Sequence, residues 1–141
     1  MVVTGHGLFA EGMHSSAKII AGENEHIKYV CFEEGMGLEG LAEKLNAAYN
    51  ELSDCDGIVV LSDLPGGSPF KTAVECSMSH PDKNIVVLSG TNLPMIITGS
   101  TMLSFETDPQ ALADELMFEG KDNVVRFELA ARVEEEEEDG I

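Results

Sequence analysis

Two short runs, Ile58-Val59-Val60-Leu61 and Ile85-Val86-Val87-Leu88, are apolar at every position. A half-buried strand alternates apolar and polar residues, because successive side chains point to opposite faces. An unbroken apolar run therefore predicts a strand covered on both faces, the habit of parallel sheets flanked by helices. Both runs read as central strands, within residues 57–62 and 84–89. Two further β-rich runs occupy residues 2–4 and 27–32. Between the four lie stretches of helical spacing. Met13, Ala17, Ile20 and Ala21 mark one apolar face; Leu38, Leu41, Leu45, Ala48 and Leu52 a second; Phe70, Ala73, Val74 and Met78 a third. Residues 93–103 are apolar almost throughout, and 111–118 form a last helix. Residues 124–127 read as a fifth strand. Strands alternating with helices predict an α/β fold with right-handed crossovers. Ser68-Pro69, Asp108-Pro109 and Asn92 mark helix starts, as N-caps that precede or adjoin proline.

The chain has 141 residues, enough for one domain, with residues 1–133 as the folded unit. Residues 134–139 are an unbroken run of acids and predict a solvated tail over 134–141. The formal net charge of −18 argues against nucleic acid and anionic membrane as partners. No apolar run reaches the ~18 residues of a membrane span. The N-terminal residues lack a basic stretch and a long apolar region, so a cytoplasmic chain without a leader is expected. Cys31, Cys55 and Cys76 are widely spaced, with no Cys-x-x-Cys pair, and are expected to be reduced, buried thiols. No cofactor or metal is expected.

In open α/β sheets, ligands bind beyond the carboxyl ends of the strands, where strand order reverses. Three loops are expected there: residues 4–10 after the first strand, 62–70 after the third and 89–95 after the fourth. All are rich in glycine and polar residues, and each leads to a helix start. Together they hold the parts of a phosphoryl-transfer site. His6, between Gly5 and Gly7, leaves room for a partner to approach its ring. Imidazole accepts a phosphoryl group when one nitrogen is free, and a carboxylate on the other nitrogen orients the ring. Asp63, at the end of a central strand, is the candidate for that carboxylate. Gly66, Gly67 and Ser68 open a helix whose N–H groups and hydroxyl suit phosphate oxygens. These loops carry no lysine or arginine before Lys71, whereas a nucleotide site wants a basic group or a metal-binding set.

Thr-Gly-His-Gly-x-Phe-Ala-x-Gly from Thr4, Asp-Leu-Pro-Gly-Gly-Ser-Pro-Phe from Asp63 and Gly-Thr-Asn-Leu-Pro-Met from Gly90 run in order along the chain. The three together resemble the mannose-family IIA component of the bacterial phosphoenolpyruvate-dependent sugar phosphotransferase system, over residues 2–127. Gly-His-Gly-Leu-Phe-Ala and Phe-Glu-Glu-Gly-Met resemble its N-acetylgalactosamine-type branch. The resemblance implies a doubly wound sheet of four parallel strands. It also implies a homodimer exchanging an antiparallel edge strand, here residues 124–127. It implies that His6 takes a phosphoryl group from the carrier protein HPr and passes it to a IIB component. Asp63 would pair with His6, and Ser68 would lie near the phosphate. Sugar choice would belong to the membrane components. The family pattern carries a few more strand residues before the histidine, and lacks the acidic tail.

Other readings compete. Gly-His-Gly alone is a turn with a surface histidine, and Asp63 alone a turn cap. His14, His26 and His80 read as structural or solvated, although His14 is close enough in sequence to line the site. Gly35-Met36-Gly37-Leu38-Glu39-Gly40 fits a dinucleotide fingerprint, but Glu33, Glu34 and Glu39 would repel a pyrophosphate. A hydrolase built on Ser68, His6 and Asp63 lacks the nucleophile elbow. A phosphocarrier subunit of a dihydroxyacetone kinase and a non-catalytic regulatory domain share the expected fold. Loss of all phosphate uptake on mutating His6 separates a carrier from a regulator.

Overall fold

A computed structural model describes residues 1–129; the acidic run at 134–139 lies outside them. The described elements are β1 (Val2–His6), α1 (Phe9–Ala21), β2 (Lys28–Phe32), α2 (Leu38–Glu51) and β3 (Ile58–Ser62), followed by α3 (Ser68–Met78), β4 (Ile85–Leu88), α4 (Leu93–Met102) and α5 (Pro109–Asp122). The four strands form one parallel sheet in the order β2-β1-β3-β4. This is the expected doubly wound α/β fold.

Strand parity sorts the core into two layers. Val3, Val59 and Leu61 face α1, α4 and α5 and pack with Ala10, Ile96, Leu112 and Leu116. Val2, Ile58 and Val60 face α2 and α3 and pack with Leu41, Leu45, Tyr49 and Ala73. The Tyr49 hydroxyl, fully buried, donates to Ala73 O at 3.1 Å and ties α2 to α3. Burial pushes its pKa up, so it stays protonated.

Several expectations are corrected. The first strand runs on through His6, because β1 is central and pairs with β2 as far as His6↔Phe32. All of β3 is buried, but β4 is an edge strand and only half-buried along its length, because among the described residues only β3 pairs with it. Among the described residues of one chain, 124–127 form no strand. Ile20 and Met78 are exposed: α1 turns Ala10 and Ala17 inward, and α3 buries Thr72, Ala73 and Cys76. Leu38, at the first position of α2, is exposed too. Of the three thiols only Cys76 is buried; Cys31 and Cys55 are half-buried, and all three are free.

Among the described residues no helix is long and apolar enough to cross a membrane. Tyr49→Phe removes one buried hydrogen bond and should cost about 1 kcal/mol of stability, read from urea denaturation, with the fold retained.

Candidate active site

Strand order reverses between β1 and β3, so the crevice beyond their carboxyl ends is the expected ligand position. His6 ends β1 and Asp63 immediately follows β3. The ladder Val2↔Val60, Val3↔Leu61, Thr4↔Ser62 brings the two residues together. Asp63 Oδ2 accepts the backbone N–H of His6 at 2.9 Å and lies 2.8 Å from His6 Nδ1. Asp63 Oδ1 accepts the N–H of Leu64 at 2.8 Å. The carboxylate therefore serves as turn cap and as ring partner at once.

The Asp63 side chain is 12 % exposed and that of His6 46 %, so the histidine is open to approach while its partner is shielded. Burial by itself raises a carboxyl pKa. Here the bonds from the His6 backbone, the His6 ring and the Leu64 backbone outweigh it and hold Asp63 below its ordinary value. An ionised acceptor at Nδ1 selects the tautomer with the proton on Nδ1, which leaves the Nε2 lone pair free.

Glycines shape the surroundings. A Cβ on Gly5 would lie 2.5 Å from the Phe9 ring and 3.0 Å from Asp63 Cγ, so only glycine lets the carboxylate reach across β1. A Cβ on Gly67 would lie 2.9 Å from His6 Cε1. Gly67 thus supplies space. Its N–H is already taken by Leu64 O at 3.3 Å. Gly67, not Ser68, is the N-cap of α3, because its extended backbone starts the helix one residue earlier than expected. Ser68 is then the first helical residue and not the cap. The N–H groups of Ser68 and Phe70 belong to the first turn, where no intrahelical carbonyl is available to them. Gly66, at φ +73°, forms the turn that leads into this helix.

The loop after β4 completes the site from the other side. Asn92 caps α4, as expected, accepting from Met95 N at 3.4 Å. Its amide also donates to Gly120 O at 2.8 Å, anchoring the loop to α5. The remaining histidines stand apart. His14 bonds Glu23 and stacks on Tyr29, His26 lies in the turn before β2, and His80 bonds Cys76 O. The dinucleotide-like turn after Gly35 follows β2, an edge strand, one strand away from the reversal. No group of three or more metal-binding side chains occurs among the described residues. Sequence reasoning missed Gly5 and Gly67 as space-makers, since a clash becomes visible only with its neighbour in place. It also missed the exposed Leu8 and Leu64 beside His6 and Asp63.

Fold and site together define an open-sheet α/β domain with a carboxylate-held histidine at the reversal of strand order. Residues 1–117 match the family model described as PTS system fructose IIA component. The chain is 33 % identical over 117 residues to the mannose-specific EIIAB component of Escherichia coli K12, an alignment covering 83 % of this chain and 34 % of that protein. It spans about a third of the length of such curated relatives. The fructose-specific EIIA component of Bacillus subtilis is 29 % identical over 97 residues, covering 69 % of this chain and 65 % of that one. Among solved structures, the mannose/sorbose-specific IIA subunit from Enterococcus faecalis matches with TM-score 0.80 and 30 % identity, covering 91 % of this chain and 93 % of that one. The EIIA component from Streptococcus agalactiae matches with TM-score 0.78 and 31 % identity, over 89 % and 95 %. The chain belongs to the mannose-family IIA components of the sugar phosphotransferase system.

The lowered pKa of Asp63 has a consequence for stability. Its ionised form is favoured in the folded chain, so it stabilises the fold above the ordinary carboxylate value of about 3.9. That contribution is lost as pH falls through the lower folded value. The urea midpoint of the wild type should therefore drop more steeply below about pH 4 than that of Asp63→Asn.

Proposed function

We propose that this chain is a phosphocarrier of sugar transport in which His6 accepts a phosphoryl group from phospho-HPr and passes it to a IIB component. The observation that carries this reading is the Asp63 carboxylate on Nδ1, which leaves Nε2 as the nucleophile. The Nε2 lone pair attacks phosphorus as the bond to the donor's nitrogen breaks. The Nδ1 proton stays on the ring. The phosphorylated ring is more positive than the free one, and Asp63 stabilises that charge. The Ser68 hydroxyl and the first-turn N–H groups of Ser68 and Phe70, at the positive end of α3, suit the phosphoryl oxygens. Transfer to IIB reverses the step, with the IIB nucleophile displacing Nε2. No metal or nucleotide is required. Leu8 and Leu64, both more than half exposed beside the histidine, favour a protein as donor and acceptor. Residues 1–133 act as the carrier domain, and 134–141 as an appended acidic tail.

The test is intact-protein mass after incubation with phosphoenolpyruvate, enzyme I and HPr. We expect one acid-labile phosphoryl group on the wild type and none on His6→Ala. Asp63→Asn should still accept, roughly 10- to 10³-fold more slowly, if the carboxylate orients and polarises the ring. Ser68→Ala should have a smaller effect. An unlabelled wild type, with the upstream proteins active on another acceptor, would overturn the reading.

We also propose a homodimer that exchanges residues 124–127 as antiparallel edge strands. The free edge of β4, its sequence apolar on both faces, and the exposure of Val124, Val125 and Phe127 support this. Sedimentation should give a dimer for the full chain and a monomer after truncation at residue 123. A full-length monomer would exclude strand exchange.

A further inference from the structure

Asp63 is held from two sides. Its carboxylate is bonded across to β1, and its main chain is bonded across to the loop that follows β4. Asp63 O accepts the N–H of Gly90 at 3.1 Å, from a glycine whose φ of +76° turns that group toward β3. The preceding carbonyl, Ser62 O, accepts twice from Thr91: from its N–H at 3.2 Å and from its hydroxyl at 2.7 Å. Ser62 in turn donates its hydroxyl to Leu88 O at 2.9 Å. Thr91 is 8 % exposed, and Ser62 is fully buried. A hydroxyl buried this deeply needs a partner, and it has found the carbonyl one residue before Asp63.

From this geometry we infer that Thr91 is a positioning residue for phosphoryl transfer: its hydroxyl clamps the end of β3 and so fixes the Asp63 carboxylate against Nδ1 of His6. Beyond Ser62 the β1–β3 ladder ends, as Thr4↔Ser62 is its last pair. Asp63 itself has no ladder partner on β1. Nor does β4 hold it by strand pairing, since Leu61↔Leu88 is the last pair on that side. Past the last ladder pairs, the bonds from Gly90 and Thr91 hold the carbonyls of Asp63 and Ser62. A small rotation there would swing Oδ2 away from the ring, and hydrogen bonds weaken steeply with misalignment. The hydroxyl bond is the shorter of the two Thr91 contacts. This role deepens the proposed transfer at His6 and rests on it.

The experiment combines two readouts on Thr91→Val, a near-isosteric change that removes only the hydroxyl. The first is the rate of phosphoryl uptake, measured with Asp63 intact and again in an Asp63→Asn background. The second is the His6 ring, followed by proton and nitrogen NMR in the unphosphorylated chain. With Asp63 intact, uptake should slow about three- to ten-fold, the worth of one hydrogen bond. In the Asp63→Asn background the further loss should stay within about twofold, because a residue acting through Asp63 has nothing left to position. The Nδ1–H resonance should weaken through faster exchange with water. Thr91→Ser, which keeps the hydroxyl, should recover uptake and signal. Equal losses in both backgrounds, or an unchanged Nδ1–H signal, would overturn the role. If Thr91→Val does not fold, Thr91→Ala removes the same hydroxyl without a second methyl against the strand, and the same outcomes apply. If the wild type takes up no phosphate, the proposed function fails by itself, and the Nδ1–H signal still decides whether Thr91 holds Asp63 against the ring.

Discussion

One oxygen atom, Oδ2 of Asp63, receives both the backbone N–H and the ring nitrogen of His6. The site depends on this double contact. It joins the ends of the two central strands where the sheet has run out of ladder bonds. It makes the ring an extension of the strand rather than a freely turning side chain. Two contacts to one atom also fix the ring's direction, with Nε2 left free of the carboxylate. Gly5 is the condition for this arrangement, since any side chain there would drive the Asp63 carboxylate and the Phe9 ring apart.

Charge gives the site its character. The chain is strongly acidic, and no lysine or arginine stands in the three loops before Lys71. In the proposed transfer, a phosphoryl group is then met by dipoles rather than by cations. The start of α3 offers these, with a serine hydroxyl released from capping because Gly67 takes the cap position. Such a site holds phosphate less firmly than an arginine fork would. For the proposed carrier, which must give its cargo away, weak retention is an advantage.

The two faces of the sheet divide the work. Helices α1, α4 and α5 seal one side, and α2 and α3 the other, each through side chains of one strand parity. The chain thereby brings three loops to one edge while the apolar layers keep water from the ladder beneath. Loop to loop, the bonds from Gly90 and Thr91 to the end of β3 carry this rigidity up to Asp63.

The four strands, most of the helices and the two chemical partners are legible in the amino-acid pattern. Unbroken apolar runs at 58–61 and 85–88 announce covered strands. His6 between glycines and Asp63 at a strand end announce the pairing, because local patterns and strand ends are properties of short segments. Other features were decided only by tertiary structure. That β1 is central, that β4 is an edge, and that residues 124–127 form no strand among the described residues depend on strand order, which no segment encodes alone. The same holds for the cap position of Gly67, the clash that makes Gly5 necessary, and the Thr91 hydroxyl beneath Asp63. Each is a contact between residues far apart in the chain, and its energy exists only once the sheet has brought them together.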